Sequence, residues 1–536
     1  MPASSWSLPA LIHIIAADRP EQPALVHGDR HLSWSQLRHR AQACAAALTA
    51  AGLGEQSKVA QYLYNCPEYI ESVIGACTGG FAVANTNYRY GPDELVYLWD
   101  NADAEAVIFH GTFTDTVDAV RVQLPSVRLW IHVDDGSTPC PTWAVDYESM
   151  LNTESQPPGP EAWSGDHLIL LYTGGTTGMP KGVMWRQEDL IGALDASNRQ
   201  RLGPAGDHAS VIDRMNTPGP RGCPAAPLMH GTGLFNALST LLLGGTVITL
   251  EGRTFSPVEL LDTVQAHGVN SVALVGDAFA RPILAELDAA PDRWDISSLR
   301  VIVSSGVMWS QETKSGLARH NERLIMVDTL GSSEAIGMAS NISRGGDTSA
   351  TARFALGPHT RVITDDGDDV VPGSGQRGRV ALRGHTPIGY YKDPVKSAGT
   401  FVEIDGARYS IPGDWAEVAA DGTVVLLGRG SQCINTGGEK VYPEEVEEVL
   451  KTHPQVIDAA VVGLPDERFG QTICAIVQAT DPSPDPQDLI EHVRARIARY
   501  KAPRRIVFID DVGRAPNGKL DYRRLTDLVS GEPTGS

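Results

Sequence analysis

The chain has 536 residues, of which 42% are hydrophobic and 20% charged, so its length exceeds what one hydrophobic core usually serves and predicts two to four domains. This ordinary composition excludes disordered, collagenous and coiled-coil chains. Lys and Arg total 44 against 65 Asp and Glu, and the resulting net charge of −21 disfavours nucleic acid and anionic lipid as partners.

The cysteines and the first residues bear on the compartment. Seven cysteines are scattered without a CxxC pair, which indicates buried free thiols rather than a disulfide framework or a zinc site. The first residues lack a basic segment ahead of their short apolar stretch, and no later run approaches the ~20 apolar residues of a membrane span. We therefore expect a cytoplasmic protein without integral membrane association.

The first half of the chain alternates between helical and strand patterns. Ser33 and Gln36 have the spacing of a capping box, and apolar residues from Leu37 to Leu48 repeat at helical spacing. Apolar runs and helical patterns then follow one another, which predicts an α/β fold with large sheets. These segments are 59–64, 67–77, 82–84, 246–250, 260–264, 271–275 and 300–303.

The C-terminal part has a different pattern. Short strands with turn signals begin near Val380 and predict a small β-rich section. The acidic run 365–369 lacks the spacing and distal Glu of a calcium loop, so a solvated hairpin turn is favoured. A compact α+β pattern of helix, strand, strand, helix and strand follows Gly428. We predict an N-terminal domain over 1–430 and a C-terminal domain over 431–536.

Residues 168–183 contain the most informative motif, LILLYTGGTTGMPKGV. A strand-like run opens into a loop rich in Gly and Thr, which is followed by Lys181. Backbone N–H groups, hydroxyls and an ammonium are the groups that bind phosphate, and a mobile Gly/Thr turn is the alternative reading. No GK[ST] follows, so this is not a Walker A loop. The loop residues are Thr173, Gly174, Gly175, Thr176, Thr177 and Gly178.

A second candidate phosphate motif lies near the C-terminus. Gly513, Gly518 and Lys519 fit GxxxxGK after an apparent strand, but Leu520 stands where a P-loop has its magnesium-binding hydroxyl. Pro516 lies within this loop, and few residues remain for a parallel sheet. We therefore expect another role for Lys519.

Six motifs in order resemble those of the adenylate-forming superfamily of acyl-CoA synthetases, luciferases and peptide-synthetase adenylation domains. The resemblance covers nearly the whole chain and implies a large N-terminal domain followed by a small mobile C-terminal domain. The matching segments are the phosphate loop, PLMHGTG at 227–233, LGSSE at 330–334, Gly413 with Asp414, Gly428 with Arg429, and PNGK at 516–519.

The resemblance implies a site for ATP and Mg²⁺. Lys519 would contact the α-phosphate and the attacking carboxylate, and Glu334 with Thr177 would hold the cation. His230 would lie at the entrance of the acyl site and belong to the catalytic set. The implied ATP contacts are Thr173, Gly174, Gly175, Thr176, Thr177, Gly178 and Lys181 for phosphate; Ser305, Gly306, Val307, Leu330, Gly331, Ser332 and Ser333 for adenine; and Asp414 and Arg429 for ribose.

The resemblance also implies an acyl pocket and a path for CoA. Small residues dominate the pocket, which favours a bulky hydrophobic acid, polycyclic or long-chain. Ser431 would be the hinge, and Gly437 and Gly438 would line the pantetheine path. The pocket residues are His230, Phe235, Asn236, Gly276, Gly306, Gly331, Ala335 and Gly337.

Several positions depart from the family pattern. Leu330 stands where an aromatic residue is common, Ser333 replaces Thr, and Ser431 with Gln432 replaces the usual Asp or Lys at the hinge. The segments at 304–310, 408–415 and 428–447 resemble actinobacterial acyl-CoA synthetases for bulky lipid, sterol or terpenoid carboxylates, with roles in lipid metabolism or natural product biosynthesis.

These observations predict an AMP-forming acyl-CoA synthetase. A carboxylic acid and ATP would give an acyl-adenylate and pyrophosphate, and CoA would then accept the acyl group. The expected partners are small molecules, with a homodimer as one possible assembly. A carrier protein as acceptor is the first alternative, and a Walker-type NTPase using 513–519 or a non-catalytic acyl-binding protein are alternatives of other classes.

Overall fold

A computed structural model describes residues 6–175, 178–198, 202–204, 206–215, 218–306, 309–345, 353–429, 434–436, 439–466, 470–497, 499–515 and 518–530. The α-helices are α1 (Leu8–Asp18), α2 (Trp34–Ala50), α3 (Pro67–Thr78), α4 (Pro92–Asn101), α5 (Thr114–Arg121), α6 (Tyr147–Leu151), α7 (Gln187–Ser197), α8 (Val211–Arg214), α9 (Gly231–Leu242), α10 (Pro257–His267), α11 (Gly276–Ala289), α12 (Gln311–His320), α13 (Pro394–Thr400), α14 (Pro443–Lys451), α15 (Pro486–Arg494) and α16 (Tyr522–Ser530).

The strands alternate with these helices in the first two thirds of the chain and cluster in the last third. They are β1 (Pro23–His27), β2 (Arg30–Ser33), β3 (Lys58–Tyr62), β4 (Ala82–Asn85), β5 (Ala104–His110), β6 (Leu129–Val133), β7 (Val145–Asp146), β8 (Leu168–Gly175), β9 (Gly178–Arg186), β10 (Arg221–Pro224), β11 (Thr246–Thr249), β12 (Ser271–Leu274), β13 (Val301–Ser305), β14 (Ile325–Ser332), β15 (Ala335–Arg344), β16 (Arg353–Leu356), β17 (Thr360–Ile363), β18 (Arg377–Arg383), β19 (Gly389–Tyr390), β20 (Phe401–Ile404), β21 (Ala407–Ser410), β22 (Asp414–Val418), β23 (Val424–Arg429), β24 (Ile434–Thr436), β25 (Glu439–Val441), β26 (Val456–Asp466), β27 (Gly470–Ala479) and β28 (Arg505–Phe508).

Local sequence explains where the first helices begin. The predicted capping box is confirmed at α2, because Ser33 Oγ accepts a hydrogen bond from the Gln36 N–H while Gln36 Oε1 accepts one from the Ser33 N–H. Helix α3 is buried along its whole length. Its carboxylates are therefore paired, and Glu71 Oε1 lies 2.9 Å from Arg40 Nε of α2.

The chain divides into two compact units. The first consists of Met1–Thr351 with Leu382–Ser410, and the second of Ala352–Ala381 with Ile411–Ser536. The predicted α/β fold class, with a large N-terminal and a small C-terminal domain, is confirmed. The predicted boundary at residue 430 stays a prediction.

The first unit contains two large sheets. One has the strand order β19-β9-β8-β4-β3-β5-β6-β7, in which β8, β4, β3, β5 and β6 run parallel. The other has the order β2-β1-β11-β10-β12-β13-β14-β15, with parallel pairing from β1 through β14. Because the carboxyl ends of parallel strands share one edge, residues that follow these strands are brought together there.

The second unit contains smaller sheets. Strands β16, β23, β22 and β18 are neighbours in one sheet, and β25, β24, β27 and β26 are neighbours in the other, where β28 pairs with β27. The predicted turn at 365–369 is confirmed, since the Thr364 N–H donates to the Asp368 carbonyl oxygen at 2.8 Å. Helices α14 and α15 with strands β26, β27 and β28 follow the predicted order of helix, strand, strand, helix and strand, and α16, which was not predicted, comes after them.

Two further predictions concern cysteines and membranes. Five of the six cysteines among the described residues are buried and Cys140 is half-buried, while Cys433 lies outside the described residues. Within the part of the chain that the structure describes, no helix combines the length and apolar character needed for a membrane crossing.

Candidate active site

The predicted phosphate loop is a β-hairpin. Strands β8 and β9 pair antiparallel, with Thr173 opposite Lys181 and Gly175 opposite Gly178. The sequence predicted an open loop from Thr173 onwards, and this was wrong because backbone hydrogen bonds between the two strands continue to Gly175. Thr176 and Thr177 lie outside the described residues, so their contacts stay predictions.

Lys181 lies on β9 beside this turn. Its Nζ is 3.3 Å from Asp393 Oδ2 and 5.8 Å from the centroid of the Tyr390 ring. The Lys396 backbone N–H, together with the Lys181 ammonium, lowers the pKa of Asp393. The Lys181 side chain is 38% exposed, so its charge is oriented by Asp393 while remaining open to an anionic ligand.

Glu334 occupies the turn between β14 and β15. Ser332 pairs with Ala335 across that turn, and the Glu334 N–H donates to Ser332 Oγ at 3.2 Å. Ser410 Oγ donates to the Glu334 carbonyl oxygen at 2.7 Å, and the Tyr390 hydroxyl donates to Glu334 Oε1 at 2.8 Å. Both the backbone and the carboxylate of this buried residue are therefore fixed.

Trp185 connects this turn to the phosphate hairpin. Trp185 lies on strand β9, and its Nε1 donates to the Ser333 carbonyl oxygen at 2.9 Å. On the same strand, Val183 pairs with Tyr390 of β19. The phosphate hairpin and Glu334 are thus joined by two aromatic residues, Trp185 and Tyr390, which were not predicted as site residues. The run GYYKD at 389–393 was a usable signal, because it places polar aromatic residues outside the predicted elements.

The surroundings of Glu334 fit a magnesium ion. A carboxylate oxygen is a ligand that this hard cation prefers, and Mg²⁺ is commonly held by one or two carboxylates together with substrate phosphates. Within the described ranges, no Lys, Arg or His forms an ion pair with Glu334, and no group of three or more His, Cys, Asp or Glu could hold a metal. A cation here would therefore depend on phosphate oxygens as well as on Glu334.

Asn85 links the phosphate hairpin, formed by β8 and β9, to residues 227–233, the motif that the resemblance assigns to the acyl site. Strand β4 ends at Asn85, whose Nδ2 donates to the carbonyl oxygens of Tyr172 at 2.9 Å and Met229 at 2.6 Å. Its Oδ1 accepts the Tyr172 N–H at 2.5 Å. The side chain thus continues the pairing of β4 with β8 beyond the last backbone pair, and it fixes the residues immediately before Thr173 and His230.

Asn65 holds the other end of the same motif. Its Nδ2 lies 3.2 Å from the carbonyl oxygens of Pro224 and Ala226, and its Oδ1 accepts the Leu228 N–H at 2.7 Å. His230 then precedes α9, and its backbone N–H donates to the Pro227 carbonyl oxygen at 3.1 Å. Two asparagines therefore define the path of residues 224–229, and neither was predicted as a site residue.

The predicted acyl and adenine residues gather at one edge of the second sheet. Strands β10, β12, β13 and β14 run parallel, so the residues that end or follow them are neighbours. Ser305 ends β13 opposite Thr329 of β14. Val307 lies outside the described residues. The other predicted residues at this edge or on its adjoining elements are Phe235, Asn236, Gly276, Gly306, Leu330, Gly331, Ala335 and Gly337.

At three of these positions the backbone conformation itself favours glycine. The φ angles of Gly276, Gly306 and Gly337 are +51°, +94° and +72°, a region that L side chains rarely adopt. Small residues at these positions indicated space for a wide acid, and the structure adds this conformational requirement. Their presence alone therefore does not measure the width of the pocket.

The predicted ribose contacts lie in the second unit. Asp414 begins β22 and is paired directly with Arg429, the last residue of β23. Asp414 is buried. The structure therefore brings these two residues together although fourteen residues of strand and turn separate them in the sequence.

Arg514 orders the turn that carries Lys519. Its Nε and Nη2 donate to the Asp458 carboxylate at 2.5 and 2.9 Å, and its Nη1 donates to the Gly518 carbonyl oxygen at 3.0 Å. The Ala515 N–H also donates to the Lys519 carbonyl oxygen at 2.8 Å. The Lys519 side chain is exposed. Residues 516 and 517, with the predicted hinge and CoA residues Ser431, Gly437 and Gly438, lie outside the described residues.

The family assignment follows from the domain matches. The family described as AMP-binding enzyme matches residues 13–391, and the AMP-binding enzyme C-terminal domain matches residues 445–519. The chain belongs to the AMP-binding enzyme family. The predicted membership in the adenylate-forming superfamily is confirmed.

Similar proteins are known as CoA ligases. The Medium/long-chain-fatty-acid--CoA/3-oxocholest-4-en-26-oate--CoA ligase of Mycolicibacterium smegmatis is 40% identical over 96% of this chain and 95% of its own. The 3-oxocholest-4-en-26-oate--CoA ligase of Rhodococcus rhodochrous is 38% identical over 96% and 94%. These relatives confirm the predicted resemblance to actinobacterial synthetases, and the chain is an AMP-forming acid–thiol ligase.

The fold is also found in solved structures. The anthranilate CoA ligase AuaEII, determined in complex with anthranoyl-AMP, has a TM-score of 0.83 and 21% identity, and the match covers 99% of both chains. At this identity the likeness concerns the fold. The alternatives of a Walker-type NTPase and a non-catalytic acyl-binding protein are not supported by the family match.

Proposed function

We propose that this enzyme activates a bulky apolar carboxylic acid as an acyl-adenylate and then transfers the acyl group to CoA. Activation would take place where the carboxyl ends of the parallel strands lie in the first unit. The observation that carries the proposal is the linkage of Lys181 and Glu334 through Tyr390 and Trp185. This linkage combines a cation for phosphate with a carboxylate for a metal ion, on a scaffold that belongs to the AMP-binding enzymes.

The charges of the two substrates define the task of the site. A carboxylate must approach the α-phosphorus of ATP although both are anionic, so charge must be neutralised and the reacting atoms aligned. Lys181 and the backbone N–H groups of the hairpin would bind the β- and γ-phosphates. Glu334 and Thr177 would hold magnesium, which would neutralise part of the phosphate charge.

The remaining roles belong to the second unit. Asp414 and Arg429 would contact the ribose, which their direct pairing across β22 and β23 supports. Lys519 would stabilise the charge that develops on the α-phosphate and on the attacking oxygen. The contacts of Arg514 would keep the turn of Lys519 in one conformation.

The proposed substrate class is a polycyclic or long-chain acid. Two relatives that match this chain almost end to end are named for medium- and long-chain fatty acids or for 3-oxocholest-4-en-26-oate. The proposed pocket contains Phe235 and Ala335 together with several glycines, and a pocket of this kind gains ~0.8 kcal/mol for each buried methylene. Acetate or a free amino acid would forgo most of that gain.

CoA is the proposed acceptor, with a carrier protein as the alternative. Gly437 and Gly438 would line the pantetheine path and Ser431 would act as the hinge, and these roles come from the family resemblance. A cytoplasmic location and a homodimer also stay predictions from the sequence.

Acid-dependent exchange of labelled pyrophosphate into ATP tests the first half-reaction. We expect exchange with long-chain and steroid acids, and a kcat/KM at least about tenfold lower for acetate and amino acids, since a pocket distinguishes acids by ~1–3 kcal/mol per methylene. Equal kcat/KM for acetate and every large acid would refute the substrate class. Absence of exchange with all acids would refute the function, and acyl transfer to a pantetheinylated carrier but not to CoA would establish the alternative acceptor.

A further inference from the structure

Tyr390 occupies the position where three elements of the site meet. Its backbone pairs with Val183 of the phosphate hairpin, its N–H donates to Ser397 Oγ at 2.8 Å, and its ring lies 5.6 Å from that of Phe401. The side chain is 5% exposed. Its hydroxyl and ring therefore have one orientation, directed at Glu334 and Lys181.

The Tyr390 hydroxyl determines the orientation of the Glu334 carboxylate. Ser410 and Ser332 already hold the Glu334 backbone, so the carboxylate orientation depends on contacts made by its oxygens. Oε1 accepts the Tyr390 hydroxyl, and in the described part of the chain no side chain or backbone group donates to Oε2. A hydrogen bond to a charged acceptor is stronger than one between neutral groups, so this contact orients the carboxylate effectively.

We propose that Tyr390 is a positioning residue that presents Glu334 to the divalent cation of the bound nucleotide. The centroid of its ring also lies 5.8 Å from Lys181 Nζ, so the same side chain contacts both charged groups, Glu334 and Lys181. This inference rests on the proposed function, because the nucleotide and cation roles of Glu334 and Lys181 belong to it.

Tyr391 supplies a matched control. It is the next residue, it is also a tyrosine, and its hydroxyl donates to Asp103 Oδ2 at 2.7 Å. Its ring is likewise near a lysine, Lys392, at 5.5 Å. Tyr391→Phe thus removes a hydroxyl-to-carboxylate hydrogen bond on the same segment without touching Glu334.

The test measures binding of Mn²⁺·ATP to the full chain by calorimetry, without acid substrate so that no adenylate forms. We expect Tyr390→Phe to weaken binding about tenfold, equivalent to about 1.4 kcal/mol, and Tyr391→Phe to leave it unchanged. The Mg²⁺ concentration needed for half-maximal pyrophosphate exchange should rise by a similar factor in Tyr390→Phe only.

A double-mutant cycle with Glu334→Gln shows whether Tyr390 acts through Glu334. We expect Tyr390→Phe to add little in the Glu334→Gln background, since the oriented carboxylate is already absent. Wild-type affinity in Tyr390→Phe, or full additivity with Glu334→Gln, would overturn the proposal. Misfolding of Tyr390→Phe in circular dichroism would also contradict it, because the hydroxyl is assigned only a local role.

The two inferences fail in different ways. If the wild-type enzyme shows no acid-dependent pyrophosphate exchange, the proposed function is wrong. If the wild type exchanges pyrophosphate and the Tyr390 and Tyr391 variants behave alike, only the role of Tyr390 is wrong.

Discussion

Asn85→Ala would remove the side chain that joins the phosphate hairpin to the acyl-site motif. Asn85 makes three buried hydrogen bonds, two with Tyr172 and one with Met229. Alanine leaves the Tyr172 N–H and both carbonyl oxygens without this partner. Because β4 ends at Asn85, no further backbone group of that strand can replace it.

The expected loss of stability follows from the number of contacts. A hydrogen bond within a protein contributes ~1 kcal/mol net, and a buried group left unpaired costs ~1–3 kcal/mol. Three lost contacts therefore destabilise the first unit by about 3 kcal/mol or somewhat more. Adenylation should also slow, because the residues before Thr173 and His230 lose their common support and small displacements of reacting groups reduce rates strongly.

Urea unfolding followed by tryptophan fluorescence measures the stability, and pyrophosphate exchange measures adenylation. Asn65→Ala is the matched control, since Asn65 also makes three backbone contacts but touches only residues 224–228. Both variants should lose similar stability. The KM for ATP should rise more in Asn85→Ala, because only Asn85 contacts the hairpin.

A wild-type unfolding midpoint for Asn85→Ala would refute the stability argument. Equal changes in the KM for ATP in the two variants would refute the claim that Asn85 couples the hairpin to the acyl motif.

Three further predictions concern other residues. Lys519→Ala should slow adenylate formation by about 10²–10³-fold while thioester formation from pre-made acyl-adenylate persists, which rapid-quench assays of each half-reaction can measure. Arg514→Ala should also slow adenylation, by about tenfold, and leave thioester formation from pre-made acyl-adenylate intact. Arg524→Ala, which removes a contact to the Val512 carbonyl oxygen instead of one to Gly518, should leave adenylation unchanged. Burial lowers the pKa of His110 from 6.5 to about 4, so the unfolded chain binds an extra proton between these values and stability falls as the pH drops through this window. Between about pH 7 and about pH 4, the free energy of unfolding of His110→Gln should therefore fall by up to roughly 3 kcal/mol less than that of the wild type. Urea unfolding at each pH measures this, and the same acid dependence in both proteins would contradict it.

Local patterns predicted much of the fold. The capping box at Ser33 and Gln36, the alternation of buried strands with helices, and the C-terminal α+β order depend on residues close together in the sequence. The hairpin at Gly175 was missed because a loop and two paired glycine-rich strands have the same composition, and only strand pairing distinguishes them.

The supporting residues of the site could not be predicted by the same reasoning. Tyr390 contacts a carboxylate 56 residues earlier, Trp185 contacts a carbonyl 148 residues later, and Asn85 reaches a residue 144 positions away. Such pairs depend on which strands become neighbours, and no periodicity of hydrophobic residues specifies that. An asparagine at the carboxyl end of a buried strand, as at Asn85, is a local signal that could have been used.

The left-handed glycines among the residues proposed for the acyl pocket limit how that pocket could be redesigned. Replacing Gly276, Gly306 or Gly337 would strain the backbone at a cost of ~1–3 kcal/mol in addition to filling space. Phe235 of α9 and Ser197, which ends α7 beside Gly337, lie on regular helices, so a change of side chain there adds no strain of this kind. Directed evolution toward smaller or larger acids should therefore begin on these two helices.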